Sequence, residues 1–280
     1  MIKYIFFAVL FGLISCSTGA EYHDYRQNEE EYSYPDTDYG SSAGRGSRHE
    51  PRHYNYAAAK RILRDFYYRE HSGRYRSYNR TIYCSCPIMY RNGNMNGADL
   101  KACGFRSLKK SERTYRIEWE HIVPASHMGK QRKCWQNGGR KNCTANDPYF
   151  SIMEGDMHNL QPSIGEVNEA RAHYRYADAG LTPYQFGECD IVVDHKQKIM
   201  QPPEAARGII ARTYLYMYSR YKMKMSDRDA KMYQVWDRRY PPSEWECYRN
   251  RRIMEIQGND NPFITRSCHD VSTPIPLRKK

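Results

Sequence analysis

In the stretch "RIEWEHIVPASHMGKQRKCWQNGGRKNC", Arg116 to Cys143, a carboxylate and an imidazole stand side by side as Glu120 and His121. Phosphodiester hydrolysis is one reaction such a pair could serve. It needs a hydrated divalent cation to neutralise the charge that develops on phosphate and leaving group. It also needs a base for the attacking water and a fixed cation on a phosphate oxygen. Magnesium suits oxygen ligands, keeps several waters and requires only one or two protein groups. Glu120 and Asn168, the latter in "SIGEVNEAR", are the candidate ligands. His121 is the candidate base, since an imidazole titrates near neutral pH. Arg140, in "NGGRKNC", offers a planar fork suited to phosphate.

The elements that must position these groups are partly legible. "RTYRIEWEHIVP", rich in β-branched and aromatic residues, predicts a strand stopped by Pro124. Adjacent strand residues point to opposite faces, so Glu120 and His121 share a site only where that strand ends or kinks. From Ser163, "SIGEVNEARAHYRYA" predicts a helix opened by an S-x-x-E capping box of Ser163 and Glu166. Asn168 lies inside that helix, where its side chain competes for backbone hydrogen bonds. Strand, loop, strand and helix form the layout of a small metal site. "AAAKRILRDFYYREH" predicts an earlier helix with an apolar face at Ala58, Ile62 and Phe66. "RTIYCSCPIMY" then predicts a strand, with "NGNMNG" as the turn after it. "PPEAARGIIARTYLYMYSRY" predicts a strong helix, its Tyr and Met stripe read as core. "PPSEWECYRNRRIMEIQGNDNPFI" predicts a short third helix closed by Gly258. There are no internal repeats.

The chain has 280 residues, enough for one large domain, and 40% hydrophobic content, adequate for a core. No internal apolar run reaches about 18 residues, so no spanning helix is expected past the N-terminus. Residues 1–20 read as a signal segment, with Lys3 before the apolar "YIFFAVLFGLI". "LISC", Leu13 to Cys16, resembles a lipoprotein cleavage site that would lipidate Cys16. The competing reading is ordinary cleavage after Ala20. Either route removes Cys16 as a free thiol. Eight cysteines are left, Cys84, Cys86, Cys103, Cys134, Cys143, Cys189, Cys247 and Cys268, enough for four disulfides in an oxidising compartment. Zinc is disfavoured, because "CSC" is a poor metal clip and no paired His spacing follows. Cys134 and Cys143 form the expected local pair, around Arg140.

Net charge is +12, of which the signal segment carries +1 and residues 21–53 carry −4, leaving +15 for residues 54–280. A body this basic suggests a polyanionic partner. Residues 21–53 are acidic, Tyr-rich and nearly free of aliphatic side chains, which predicts a disordered linker. Residues 54–270 form the predicted folded domain and 271–280 a basic tail.

At the residues already singled out, the chain resembles the bacterial endonuclease I family of periplasmic and secreted nucleases. "EWEHIVPA", "QRKCWQNGGRKNC", "MEGDMHNLQPSIGEVNEAR", "ARGIIARTYLYM" and "QGNDNPFI" carry the resemblance, which spans roughly residues 55–268. It implies an α+β fold: a mixed α/β single domain built around a ββα-metal (His-Me finger) core and stapled by disulfides. It implies cleavage of DNA, often of RNA too, with little sequence preference, leaving a 5′-phosphate and a 3′-hydroxyl. It gives His121 as general base, Glu120 and Asn168 as ligands of one Mg2+, and Arg140 as the arginine that holds the cleaved phosphate. Asn159 matches a motif position without a ligand role, and His127, in the divergent "SHMGK", reads as structural. The lipobox-like segment and the acidic linker depart from the soluble members.

The expected protein is an exported, monomeric, Mg-dependent endonuclease, placed in the periplasm, on the outer membrane as a lipoprotein, or secreted. The rival from another class is a catalytically silent nucleic-acid-binding envelope lipoprotein. A structural envelope protein would explain the charge but not the motifs.

Overall fold

The computed structural model of the protein describes residues 52–183 and 185–268. The signal segment with Cys16, the linker up to residue 51 and the basic tail lie outside the described residues.

Helix α1 (Tyr56–Glu70) starts where Asn55 Oδ1 accepts the Ala58 N–H, an N-cap that satisfies one orphan amide. Its fully buried face is Ala59, Leu63, Phe66 and Tyr67; of the predicted stripe, Phe66 is buried and Ile62 packs against the edge of the core. Strands β1 (Ile88–Arg91) and β2 (Asn94–Ala98) follow as an antiparallel hairpin turning at Asn92–Gly93. The predicted strand over 80–90 is therefore strand only at its end, and "NGNMNG" is a turn plus most of a strand. Residues 81–87 turn instead, because Cys84 and Cys86 are drawn to different partners, Cys189 and Cys103, and Ser85 takes a left-handed φ of 51°.

Strand β3 (Ile117–His121) pairs antiparallel with β4 (Leu160–Ile164), Glu120 opposite Gln161 and His121 opposite Leu160. The predicted loop between them is four short helices: α2 (Ala125–Gly129), α3 (Lys133–Gln136), α4 (Gly139–Asn146) and α5 (Pro148–Glu154). Helix α6 (Gly165–Arg171) leaves β4 directly.

The capping box is overturned. Ser163 is a strand residue and its hydroxyl bonds Ile164 O. Glu166 turns away from the helix start to accept from Leu108 N, Lys109 N, Ser107 Oγ and Thr114 Oγ1. Four donors from the segment 107–114 outcompete a local cap. The helix is also shorter than predicted, since Ala172 adopts φ 51° and breaks it.

Strands β5 (Arg175–Tyr176), β6 (Val192–Asp194) and β7 (Ile199–Gln201) make a three-stranded sheet in the order β5-β7-β6, with β5 parallel and β6 antiparallel to β7. Helix α7 (Glu204–Arg220) buries Tyr214, Tyr216 and Met217, so the Tyr and Met stripe is core. Helix α8 (Asp227–Arg239) was not anticipated. Helix α9 (Glu244–Gln257), at 14 residues, is longer than expected, and it ends at Gly258 with the left-handed φ of 91° that favours glycine. Helix α10 (Pro262–Thr265) follows.

One apolar core gathers Ile122, Val123, Val167, Ile210 and Leu215 around α7. A second gathers Leu63, Phe66, Trp245 and Tyr248 between α1 and α9. The fold is mixed α+β. The eight cysteines pair as Cys84–Cys189, Cys86–Cys103, Cys134–Cys143 and Cys247–Cys268. No helix among the described residues is long and apolar enough to cross a membrane.

Candidate active site

The end of β3 explains how two neighbouring strand residues serve one cleft. After the last pair, the Ile122 N–H donates to Asn159 O at 3.0 Å. The Asn159 side chain then acts as one more rung. Its Oδ1 accepts the Val123 N–H at 2.7 Å and its Nδ2 donates to Val123 O at 3.0 Å. The chain is thus held while it leaves the sheet towards Pro124 and α2. Asn159 is the strap of this turn.

Arg171, buried at the end of α6, completes the support. It donates to His121 O at 2.9 Å and Ile122 O at 2.7 Å, two carbonyls around the strand end, and to Glu120 Oε1 at 2.9 Å. Its guanidinium lies 4.6 Å from the Tyr176 ring centroid. Sequence reasoning missed Arg171. The available signal was its spacing three residues past Asn168, which sets both on one helix face.

Glu120, only 2% exposed, also accepts the Tyr83 hydroxyl on Oε1 at 2.7 Å. Burial raises its carboxyl above the ordinary carboxylate range, against the pull of Arg171 and Tyr83. His121 packs its ring on Tyr56, centroids 4.7 Å apart, and pairs Nε2 with the backbone carbonyl of Glu154 at 2.8 Å. A carbonyl can only accept, so Nε2 carries the proton and Nδ1 keeps its lone pair. Burial, with Arg140, Arg171 and Lys60 nearby, pushes the imidazole down to about 3, so the ring is neutral at physiological pH.

Arg140 sits in the first turn of α4, not in an open loop. The loop before it is short, and Gly138 and Gly139 take φ of 130° and 62° there. Its Nε donates to Glu154 Oε1 at 2.6 Å and its guanidinium lies 5.4 Å from the Tyr56 centroid. The Cys134–Cys143 bond ties α4 back to α3. His127 pairs Nε2 with His173 O at 3.0 Å and sets Nδ1 3.5 Å from Tyr214 Oη, the bonding of a structural histidine.

Glu120, His121, Arg140 and Asn168 all line one cleft of about 670 Å³, with Glu118 on the same wall. The donor set fits a hard cation. Glu120 uses Oε1 for Tyr83 and Arg171, and Asn168 uses Nδ2 for Glu118. Among the described residues neither Glu120 Oε2 nor Asn168 Oδ1 has a hydrogen-bond partner, and neither is among the buried polar atoms left unpaired. Each side chain therefore offers the open cleft one oxygen while its other end is anchored. No cluster of three or more His, Cys, Asp or Glu among the described residues could hold a metal. A cation here would rest on these two oxygens and on water, the coordination style of magnesium.

The chain is similar to known nucleases. The Endonuclease I family model matches residues 55–268. An extracellular deoxyribonuclease of Aeromonas hydrophila is 50% identical over 195 residues, covering 69% of this chain and 85% of that protein. A periplasmic deoxyribonuclease of the same species is 49% identical over 195 residues, 69% of this chain and 81% of its own length. Endonuclease-1 of Buchnera aphidicola subsp. Acyrthosiphon pisum (strain APS) is 42% identical over 189 residues, 68% and 75% of the two chains.

Proposed function

The chain belongs to the endonuclease I family and is an endonuclease, and from that premise we propose that it is an exported, magnesium-dependent enzyme that cleaves DNA with little sequence preference. The observation that carries the chemistry is the state of His121. Its Nε2–H is spent on Glu154 O, so Nδ1 is a proton-free base on the wall of the cleft that Arg140 shares.

His121 Nδ1 takes a proton from water as the water oxygen bonds to phosphorus. The bond from phosphorus to the 3′ oxygen breaks, and that oxygen takes a proton from a second water, giving a 5′-phosphate and a 3′-hydroxyl. Arg140 binds a non-bridging phosphate oxygen through the guanidinium nitrogens that its Nε contact with Glu154 leaves available. Glu120 Oε2 and Asn168 Oδ1 would hold magnesium, which stabilises the charge growing on the phosphate and the departing 3′ oxygen. RNA, which carries the same phosphodiester linkage, is a second substrate class.

Export is supported by the extracellular and periplasmic relatives and by four disulfides, which persist in oxidising compartments. Lipidation at Cys16, outside the described residues, would decide between an anchored and a free enzyme.

The test is nicking of supercoiled plasmid by wild type and His121→Ala, with magnesium or with a chelator. The chelator is expected to abolish nicking and magnesium to restore it. His121→Ala is expected to lower the rate by about 10²–10⁴-fold while DNA binding survives. Cleavage by His121→Ala within about threefold of wild type would remove His121 as the base. Full activity in chelator would remove the metal.

A further inference from the structure

We propose that Glu118 is a positioning residue that sets which end of the Asn168 amide faces the cleft. The inference rests on the reading of Asn168 as a magnesium ligand and deepens it.

An asparagine amide has two nearly isosteric ends, and only Oδ1 can bind a hard cation, because the NH2 end is a donor. Something must keep the oxygen outward. Glu118 sits two residues before Glu120 on β3, so both point to the same face of the strand and both line the cleft. It is nevertheless unavailable as a ligand. Arg113 Nε and Arg116 Nη2 donate to its Oε1, at 2.9 Å and 3.4 Å. Arg113 Nη2 and Asn168 Nδ2 take its Oε2, at 2.5 Å and 2.8 Å.

Every contact that the Glu118 carboxylate makes with these residues is from an N–H donor, so both of its oxygens serve as acceptors. Asn168 can therefore meet it only with Nδ2. Turning the amide over would replace a charge-assisted hydrogen bond with two oxygens in contact. Oδ1 is held to the other side, where it has no protein partner among the described residues.

The packing around Glu118 serves the same contact. A Cβ at Gly165 would lie 2.6 Å from Arg113 O and 2.8 Å from Glu118 Oε1, so only glycine lets the first turn of α6 close on this carboxylate. Arg113 also reaches Glu169 Oε1 at 3.4 Å, the residue after Asn168, which fixes α6 from the solvent side.

The test uses the full chain carrying His121→Ala, so that cation binding is read without turnover, and Mn2+ alone as the probe, followed by electron paramagnetic resonance. Glu118→Ala is expected to weaken Mn2+ binding roughly tenfold. In an Asn168→Asp background both ends of the side chain are oxygens and no orientation is required. There Glu118→Ala is expected to cost less than about twofold. If Glu118→Ala binds as the parent does, or costs the same factor in both backgrounds, the positioning role is overturned. Asn168→Ala is measured alongside. If it binds Mn2+ as tightly as the parent, the ligand reading itself fails and the inference with it, an outcome distinct from failure of Glu118 alone. Should Glu118→Ala lose its cooperative thermal transition, Glu118→Gln carries the same two-background comparison. It keeps the shape but presents an amide that can turn over together with Asn168.

Discussion

The backbone carbonyl of Glu154 accepts His121 Nε2–H at 2.8 Å while the carboxylate of the same residue holds Arg140 Nε at 2.6 Å. One residue at the end of α5 thus supports both the candidate base and the candidate phosphate clamp, through different atoms. Side-chain changes at 154 act on Arg140 and leave the carbonyl beneath His121 in place.

Glu154→Ala is accordingly expected to lower kcat/KM about tenfold, less than loss of the base, because Arg140 is half exposed and its ion pair is screened. Steady-state cleavage of a short duplex by Glu154→Ala, Arg140→Ala and the double variant would check this. The two changes share one contact, so the double variant should be little worse than Arg140→Ala. Fully additive losses would mean that Glu154 acts by another route.

A body charged at +15 outside the signal segment and linker should bind nucleic acid mainly through phosphates. The logarithm of the binding constant is expected to fall linearly with the logarithm of salt concentration, for any duplex sequence. Arg140→Ala should reduce that slope by about one phosphate contact and weaken all sequences alike. Fluorescence anisotropy on two unrelated duplexes at several salt concentrations measures both. An unchanged slope would place Arg140 off the phosphate path.

The candidate residues that the fold brings to one cleft stood out in the sequence because their types are unusual where they stand: a carboxylate and imidazole closing an apolar strand, an asparagine inside a helix, an arginine behind two glycines. Their supports did not. Glu118 and Arg171 look like ordinary surface charges, and only tertiary structure shows Glu118 facing Asn168 or Arg171 buried beneath Glu120. The capping box at Ser163 misled for the same reason, since the partners of Glu166 lie over fifty residues away. Strands β5, β6 and β7 span two or three residues each, too few to show alternation. Helix α8 did carry signals, Ser226 capping Asp229 N and a buried Tyr233 and Trp236, but its sparse apolar residues hid the stripe.

The disulfides should differ in worth. Cys84–Cys189 closes 105 residues and Cys134–Cys143 closes 9. Constraining the unfolded chain is worth about 4.7 kcal/mol for a loop near 100 residues and about 3 kcal/mol for one near 15. Cys84→Ala/Cys189→Ala is expected to lower Tm by roughly 10 °C and Cys134→Ala/Cys143→Ala by less. The first pair also tethers Tyr83, which bonds Glu120. Its loss should therefore raise the magnesium concentration needed for nicking. Calorimetry and a magnesium titration of both variants test the order, and a larger Tm loss from the 134–143 pair would reverse it.

Acid should destabilise the protein through its buried and half-buried histidines. Burial, with Arg171 close by, pushes His127 down to about 4, and burial lowers His158 as well. An imidazole in the unfolded chain titrates near about 6.5. Between those values the unfolded chain binds a proton at position 127 that the folded chain does not, so stability falls as pH drops from about 6.5 towards 4 and that contribution levels off below. His127→Gln keeps a donor for His173 O and cannot titrate. It should be less stable than wild type at pH 7.5, yet lose less on acidification, so the two stability curves converge towards pH 4. His121 and His158 are present in both proteins and cancel in the difference. Urea unfolding at pH 7.5, 6.0 and 5.0 measures it. Parallel curves would mean that His127 titrates in the folded protein as it does in the unfolded chain.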